Sequence, residues 1–297
     1  LTFAATANVI VHCGAKPVFV EVDAETGLID PSAAAAAITE KTRAIIPVHL
    51  YGRAADVESL RALSEKHNLY FLADCAHAIE TRYKDKHISS WADAAAFSFY
   101  ATKNLAVGEG GMLTSNDKSL IEKLRRLSLH GMSQNAFGRD DAEGYSPYDI
   151  VEAGYKFNMT DISAALGLEQ LKRIGTHFKR RCEIWDQYNS AFKSTSFRTP
   201  APISDDMVHG RHLYTLHVEP SKRSKVLSAI KSQNIGVGVH FTSLHLSTFY
   251  QKEFNYQRGD FPNAESFSDS VFSIPLTPYL SSKDVEYVID AVKSAES

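Results

Sequence analysis

Two polar side chains stand directly after apolar stretches that have the length of buried strands. Asp74 ends the stretch LYFLAD, and Lys103 follows the apolar stretch at residues 94–99. Open α/β sheets place their ligands at the carboxyl ends of parallel strands. A carboxylate at such an end needs a partner, so Asp74 and Lys103 together indicate a site at one edge of a sheet.

The surroundings of Lys103 suit a nucleophilic amine. Its neighbours in the segment AAAFSFYATKNLAVGEGG are largely alanine, threonine, leucine and valine. Partial desolvation among such residues lowers the pKa of an ammonium group and leaves more free amine, which Schiff-base chemistry requires. Each feature also has a plainer interpretation: Asp74 as a helix cap, Lys103 as a surface residue and GEGG as an ordinary turn.

Strand and helix patterns alternate along the first part of the chain. We predict a buried helix at residues 3–11, which Gly14 ends in a left-handed conformation. Strands are predicted at 17–22, 43–48, 70–73 and 94–99, and helices at 31–39 and 57–67. Because these strands are apolar throughout, they predict a mostly parallel sheet with helices on both faces, which is a doubly wound α/β domain.

The second part of the chain predicts a smaller α+β domain. Helices are expected at 119–130, at 161–192 with Thr160 or Asp161 as the cap, at 221–233 and at 281–294, and strands at 213–218 and 236–241. The polar stretch 131–148 is longer than an ordinary connection, which favours a functional or interfacial loop. We place a boundary near PISDDMVHG, so that residues 1–200 form the large domain and 201–297 the small one.

Composition narrows the class of protein. The chain has 297 residues, of which 44% are hydrophobic and 23% charged, and a net charge of -3. Such a balance favours neither nucleic acid nor an anionic membrane as a partner, and no apolar stretch reaches the ~18 residues of a membrane span. Cys13, Cys75 and Cys182 are odd in number and lack metal-ligand spacing, which fits a cytoplasmic protein.

A series of motifs resembles one enzyme family over essentially the whole chain. They are LTFAATAN with GAKPVFVEVD, AIIPVHLYG, DCAHA, FSFYATKN with GEGG, GYKFNMTDISAALGLEQL, GVHFTSLH and SIPLTPYLS. Their order is similar to that of the DegT/DnrJ/EryC1/StrS family of sugar aminotransferases, which depend on pyridoxal phosphate (PLP). Within the family the chain looks closest to the UDP-4-amino-4-deoxy-L-arabinose aminotransferase type of lipid A modification. The resemblance implies a fold-type I PLP-dependent transferase.

The resemblance also implies roles for residues of the large domain. Lys103 matches the lysine that binds PLP as a Schiff base and then moves a proton between substrate and cofactor carbons. Asp74 matches the carboxylate that pairs with the pyridinium nitrogen, and His77 the residue near the ring face or its phenolic oxygen. Phe3 matches the aromatic on the other ring face, and Ser98 the hydroxyl that binds the phosphate.

Partners and substrate follow from the same resemblance. Asn158 matches an asparagine that reaches the phosphate of the neighbouring subunit, which implies a homodimer with shared active sites. Glutamate would supply the amino group, and a 4-keto sugar on a nucleotide, UDP in the first instance, would accept it for surface polysaccharide, lipid A or a related glycan. Arg211, His240 and His245 are candidate sugar-nucleotide contacts.

A metal site is not predicted. His209, His212, His240 and His245 lack the Cys or carboxylate partners that would complete one.

Two alternatives stay open. A PLP-dependent sugar dehydratase belongs to the same family, but members with that activity usually carry histidine where Lys103 stands. The family also has a Gly/Ser/Thr-rich turn upstream of LTF that holds the phosphate, and this part of the large domain is missing here. We therefore expect either an aminotransferase of which this is the larger part or a catalytically silent fragment that acts as a binding protein.

Overall fold

The computed structural model describes residues 1–133 and 148–296. Its helices are α1 (Ala4–His12), α2 (Pro31–Ala37), α3 (Val57–Lys66), α4 (Lys118–Ser128), α5 (Asp161–Phe192), α6 (Pro220–Ser232), α7 (Thr248–Phe254), α8 (Pro262–Ser270) and α9 (Ser282–Ser294). Its strands are β1 (Ala44–Ile45), β2 (Tyr70–Asp74), β3 (Arg82–Tyr83), β4 (Lys86–His87), β5 (Ala94–Ser98), β6 (Gly111–Thr114), β7 (Met207–Val208), β8 (Tyr214–His217) and β9 (Val271–Ile274). Most of the predicted loop 131–148 lies outside the described residues.

The largest sheet carries the candidate site at one edge. Its strand order is β1-β2-β5-β6, in which β1, β2 and β5 run parallel and β6 runs antiparallel to β5. The predicted strands at 70–73 and 94–99 are confirmed, and the register sets Asp74 opposite Ala96. We did not predict β6, because its four-residue segment GMLT shows no alternation of apolar and polar residues. In the structure its Met112 and Leu113 are exposed.

The helix predictions are confirmed more closely than the strand predictions. The structure places α5 over the residues predicted for it, and the Thr160 hydroxyl accepts a hydrogen bond from the Ser163 backbone N–H at 3.2 Å. At the C-terminal end, Ser281 and Asp284 form a reciprocal capping box at the start of α9. These ends are encoded locally, because a cap needs only residues within one turn of each other.

Two predicted strands are wrong. Within residues 17–22 only Val22 forms a bridge, to Ile29, and within residues 236–241 only Gly238 does, to Ser273. A cavity of about 770 Å³ is lined by residues 17–20 and Val22 of the first stretch and by both residues of β1. Apolar composition alone does not make a strand, because a strand also needs a neighbour at the spacing of about 4.8 Å that a ladder requires.

The first helix is also less buried than we predicted. Of the residues of α1, only Ala7 is buried, where it packs near Leu244 and Tyr250, while Val9 is exposed. Gly14 has φ +73°, so the predicted left-handed conformation after this helix is confirmed. The other residues of this helix are exposed or partly exposed, so its apolar residues do not all face a core.

Two main hydrophobic cores lie in the described residues. The first surrounds the large sheet, and the second joins the C-terminal half of α5, with Trp185 and Tyr188, to β8, β9 and α9. β7 pairs with β3 of the N-terminal region, and Phe267 belongs to the first core. The predicted division at residue 200 remains a prediction, and several elements contact both sides of it.

No helix among the described residues is long and apolar enough to cross a membrane.

His49 is a buried imidazole between β1 and the Leu50–Gly52 turn. Its Nδ1 accepts a hydrogen bond from the Ala55 N–H at 3.1 Å, and its Nε2 is buried without a partner in the structure. Burial, assisted by His87, lowers the pKa of His49 from 6.5 to about 3. The unfolded chain therefore binds a proton below pH 6.5 that the folded chain does not, and stability is lost as the pH falls towards 3.

We predict that His49→Asn flattens this pH dependence. Asparagine keeps an acceptor for the Ala55 N–H and cannot take the proton. Between pH 6.5 and 4.5, the slope of the unfolding free energy against pH should fall by one proton, about 1 kcal/mol per pH unit. Urea unfolding at several pH values measures the slope, with the exposed His67→Asn as control. An unchanged slope in His49→Asn would contradict the assignment.

Candidate active site

Asp74 is held firmly at the carboxyl end of β2. Its Oδ2 accepts a hydrogen bond from the Thr6 hydroxyl at 2.7 Å, and its Oδ1 accepts one from the Ala76 N–H at 3.0 Å. The Thr2 and Thr6 hydroxyls are 2.7 Å apart, so a short chain of hydroxyls leads from the start of α1 to the carboxylate. Charge-assisted hydrogen bonds of this kind fix the orientation of a carboxylate.

Lys103 lies in the turn that follows β5. Its backbone N–H donates to the Tyr100 carbonyl at 2.9 Å, and its side chain is partly buried. Burial lowers the pKa of the Lys103 ammonium, and the nearby Asp74 carboxylate opposes part of that change. The predicted desolvation of this lysine is therefore confirmed, and the lysine and the carboxylate lie close enough to interact.

A group of aromatic and imidazole rings lies beside the lysine, and together with it is here called the Lys103 group: Tyr51, His77, His212, His240 and Phe241. The His77 ring centroid is 4.3 Å from that of His212 and 5.9 Å from that of Phe241, and the Tyr51 N–H donates to His77 Nδ1 at 3.2 Å. The neighbouring His240 places its Nδ1 2.8 Å from the Ser273 hydroxyl. His77 and His240, both predicted from the sequence, are thus brought together around Lys103.

These imidazoles are held in the neutral form. Burial is the largest cause that lowers the pKa of His77, His212 and His240, and the positive charge of Lys103 adds to the effect at each of them. A buried neutral imidazole has one donor and one acceptor nitrogen. The site therefore offers directional hydrogen bonds near the lysine without adding further positive charge.

A close backbone contact brings the VHGRH segment to this site. The Gly210 N–H donates to the Gly52 carbonyl at 2.7 Å, and the His212 N–H to the Tyr51 carbonyl at 3.0 Å. Gly52 has φ +95°, and a Cβ there would lie 2.9 Å from the Gly210 Cα. Glycine at position 52 is therefore required both by the backbone conformation and by the approach of residue 210.

The structure shows site residues that sequence reasoning did not single out. Thr6 and Tyr51 lie in LTFAATAN and AIIPVHLYG, which were recognised only as family motifs. His212 was considered only as a metal ligand. Among the described residues, no cluster of His, Cys, Asp and Glu is arranged to hold a metal ion. The sequence signal for Thr6 and Tyr51 was their place in these motifs, but the partners of all three residues are distant in sequence.

Phe3 and Ser98 have different surroundings. Phe3 precedes α1 with 61% of its surface exposed, and its ring centroid is 5.7 Å from that of Phe241. Ser98 ends β5, five residues before Lys103, and its hydroxyl accepts a weak hydrogen bond from the Tyr100 N–H at 3.3 Å. Phe3 is exposed and Ser98 is partly exposed, and their predicted contacts with the cofactor remain predictions.

Two predicted residues, His245 and Arg211, have their partners elsewhere. His245 Nε2 is 3.0 Å from Glu265 Oε1 in a separate buried pair. The guanidinium carbon of Arg211 lies 4.8 Å from the Trp185 ring centroid on α5. The predicted contacts of His245 and Arg211 with substrate remain predictions that no contact with the Lys103 group supports.

Asn158 is exposed and lies between α4 and α5 in the chain. Its backbone N–H donates to the Ser128 carbonyl at 3.1 Å, and its side-chain oxygen accepts a hydrogen bond from Lys156. The predicted contact of Asn158 with a second subunit remains a prediction.

Comparison with known proteins identifies the family. Residues 1–293 match the DegT/DnrJ/EryC1/StrS aminotransferase family. The chain belongs to this family. It is 47% identical over 298 aligned positions to the spore coat polysaccharide biosynthesis protein SpsC of Bacillus subtilis, covering 99% of this chain and 77% of SpsC.

Solved structures of sugar aminotransferases share the fold. A putative sugar aminotransferase from Streptococcus pneumoniae in its PMP form is 33% identical with a TM-score of 0.93, covering 100% of this chain and 80% of that one. Helicobacter pylori PseC, an aminotransferase of pseudoaminic acid biosynthesis, is 30% identical with a TM-score of 0.91, covering 99% and 77%. The chain is thus a sugar aminotransferase of fold type I, and its family depends on PLP.

The residues present fit this cofactor. A partly buried amine with a lowered pKa suits covalent attachment to an aldehyde, and a carboxylate held by Thr6 suits a protonated ring nitrogen. When bound, PLP accepts the electron pair that a substrate carbon releases as it loses a proton. The protein must supply the amine, the counter-charge and groups that orient the ring.

We predict that Thr6→Val weakens cofactor binding. Valine has nearly the same shape but cannot donate to Asp74 Oδ2, so the carboxylate loses a charge-assisted hydrogen bond. The dissociation constant for PLP should rise about tenfold, measured by absorbance titration. Thr195→Val is the matched control, since its hydroxyl donates to the Phe192 carbonyl far from the site. Equal affinities in the two variants would contradict the role of Thr6.

Proposed function

We propose that this protein transfers an amino group from glutamate to a 4-keto sugar carried on a nucleotide, UDP in the first instance. Such products serve surface polysaccharide, lipid A or related glycan biosynthesis. The main observation in support is that Lys103, Asp74 and the neutral His77 meet at the carboxyl edge of the sheet. The names of SpsC and PseC, which refer to polysaccharide and sugar-acid biosynthesis, support this substrate class.

The proposal gives each residue of the site a separate task. Lys103 Nζ binds the cofactor and afterwards takes and returns the proton at the reacting carbon, for which its lowered pKa suits it. Asp74 carries the negative charge opposite the ring nitrogen, and Ser98 donates to the phosphate. His77 and Phe3 orient the ring from its faces.

The three candidate substrate contacts, His240, Arg211 and His245, differ in their support. Of the three predicted residues, His240 has the best support, because its pKa responds to Lys103 and its ring lies against Phe241. Arg211 and His245 have partners outside the Lys103 group, so they would contact a part of the sugar nucleotide that is remote from the reacting carbon. A cytoplasmic location agrees with the three cysteines, which are all free.

We further propose that the enzyme is a homodimer with shared active sites. Four exposed apolar side chains lie before and after Asn158 in the chain and are here called the α5 face: Tyr155, Phe157, Ile162 and Leu166. Phe157 is 73% exposed and Ile162 is 78% exposed. An apolar patch of this kind is typical of an interface, and a second copy that covers it would bring Asn158 towards the phosphate of its neighbour.

A mixed dimer tests shared sites. Lys103→Ala should abolish activity and Asn158→Ala should reduce it strongly, because each variant lacks one half of every site. When the two variants are co-expressed, about half of the dimers should contain one subunit of each variant. In such a mixed dimer one of the two sites combines an intact Lys103 with an intact Asn158, so about a quarter of wild-type activity should return. Activity that stays at the level of the two separate variants would contradict the shared arrangement, and sedimentation velocity would show whether the dimer itself forms.

The function is tested by the two half-reactions. Protein with PLP should show the visible absorption band of the lysine-bound cofactor, and glutamate should bleach it with release of 2-oxoglutarate. A UDP-4-keto sugar should then restore the band and yield the 4-amino sugar. Lys103→Ala should show neither change, and Lys179→Ala, an exposed lysine on α5, should behave as wild type.

Other results would favour the alternatives. Loss of a hydroxyl group from the sugar without amino transfer would favour the dehydratase. No lysine-bound band in wild-type protein would favour the silent binding protein.

A further inference from the structure

A buried ion pair lies behind the Lys103 group. Glu80 follows His77 by three residues, and its Oε1 pairs with the Arg181 guanidinium of α5. The side chains are 8% and 1% exposed. Burying two charges costs solvation free energy that their attraction only partly returns, so stability alone does not explain the pair.

Asn104, the residue after Lys103, links this pair to the imidazoles. Its Nδ2 donates to Glu80 Oε2 at 2.8 Å and to the Gly210 carbonyl at 2.9 Å. Both partners are acceptors, which determines which end of the amide is the nitrogen. The Asn104 Oδ1 therefore faces His212 Nδ1, at 3.0 Å.

This arrangement defines the tautomers of two neighbouring histidines. Because Asn104 Oδ1 can only accept, neutral His212 must carry its proton on Nδ1, which leaves Nε2 as the acceptor. His77 has the opposite form, because its Nδ1 accepts from the Tyr51 N–H and its proton is on Nε2. The two ring centroids lie 4.3 Å apart, so that His212 contacts Asn104 through Nδ1 and lies against His77.

We propose that Glu80 and Asn104 are positioning residues for the transamination, which fix the turn after Lys103 and the orientation of the His212 ring against His77. Arg181 holds the Glu80 carboxylate in the place that Asn104 requires. Neither Glu80 nor Asn104 needs to touch the substrate or the cofactor. The inference rests on the proposed function only where it concerns the reaction, since the tautomers are properties of the protein alone.

A purely structural role is the competing explanation. The Glu80–Arg181 pair also connects the segment after β2 to the middle of α5, and any buried hydrogen bond between the two would serve that purpose. The two explanations differ in what the loss of the Asn104 side chain does. A structural role predicts lower stability with unchanged imidazoles, whereas a positioning role predicts a change at His212.

Asn104→Ala tests the proposal, with Asn189→Ala as matched control. Asn189 also has a partly buried amide, which accepts from the Tyr214 hydroxyl at 2.8 Å in the second core, remote from Lys103. Cofactor-free protein labelled with ¹⁵N-histidine reports the tautomers by long-range ¹H–¹⁵N NMR. A His212→Asn variant, which removes one set of signals, assigns His212.

The expected result is an Nδ1–H tautomer of His212 in wild type and in Asn189→Ala, and its loss in Asn104→Ala. In the enzyme with PLP, Asn104→Ala should lower kcat about tenfold or more with little change in the KM for glutamate, because misplaced groups slow the reaction more than they weaken binding. The pH profile of kcat should also shift, which Asn189→Ala should not cause.

Two outcomes would overturn the proposal. One is an Nε2–H tautomer of His212 in wild-type protein, a result that needs no variant to fold. The other is an Asn104→Ala protein that matches Asn189→Ala in the His212 signals, the pH profile and kcat. Failure of the proposed function is recognised separately, because wild-type protein with PLP would then show no absorbance change with glutamate.

Discussion

The parallel pairing of β2 with β5 is the constraint on which the site depends. The register that sets Asp74 opposite Ala96 brings the carboxyl ends of both strands to one edge of the sheet. Asp74 ends one strand, and Lys103 lies in the turn after the other. A carboxylate and an amine that are 29 positions apart in the chain thus share one partly desolvated space without forming a direct ion pair.

The second requirement is that polar groups at this edge stay neutral or fixed. A charge in a partly buried site is costly unless hydrogen bonds or an opposite charge compensate it. Here Thr6 and the Ala76 N–H hold the only carboxylate that faces Lys103 among the described residues, and burial keeps His77 and His212 uncharged. The Lys103 ammonium can therefore lose its proton more readily, since Asp74 offsets only part of the desolvation.

Much of the fold followed from the sequence because its signals are local. The bounds of α5 and the capping box of α9 depend on residues within one or two turns of the helix ends. The prediction failed for residues 17–22, which have the composition of a strand but face a cavity. It also omitted β6, whose apolar side chains are exposed on the surface. Strands depend on a neighbour, and the sequence of one segment does not contain that neighbour.

The sequence by itself determined the residue types at the centre of the site and, through the order of its motifs, the family. Lys103 and Asp74 were recognisable because each directly follows an apolar stretch. Only the tertiary structure decided that Thr6 supports Asp74 and that His212 meets His77, while His245 pairs with Glu265 instead. The physical reason is that these contacts join residues 20 to 135 positions apart. The contacts that form the site require distant backbone segments to lie close together, as Gly52 and Gly210 do, and no local pattern encodes this.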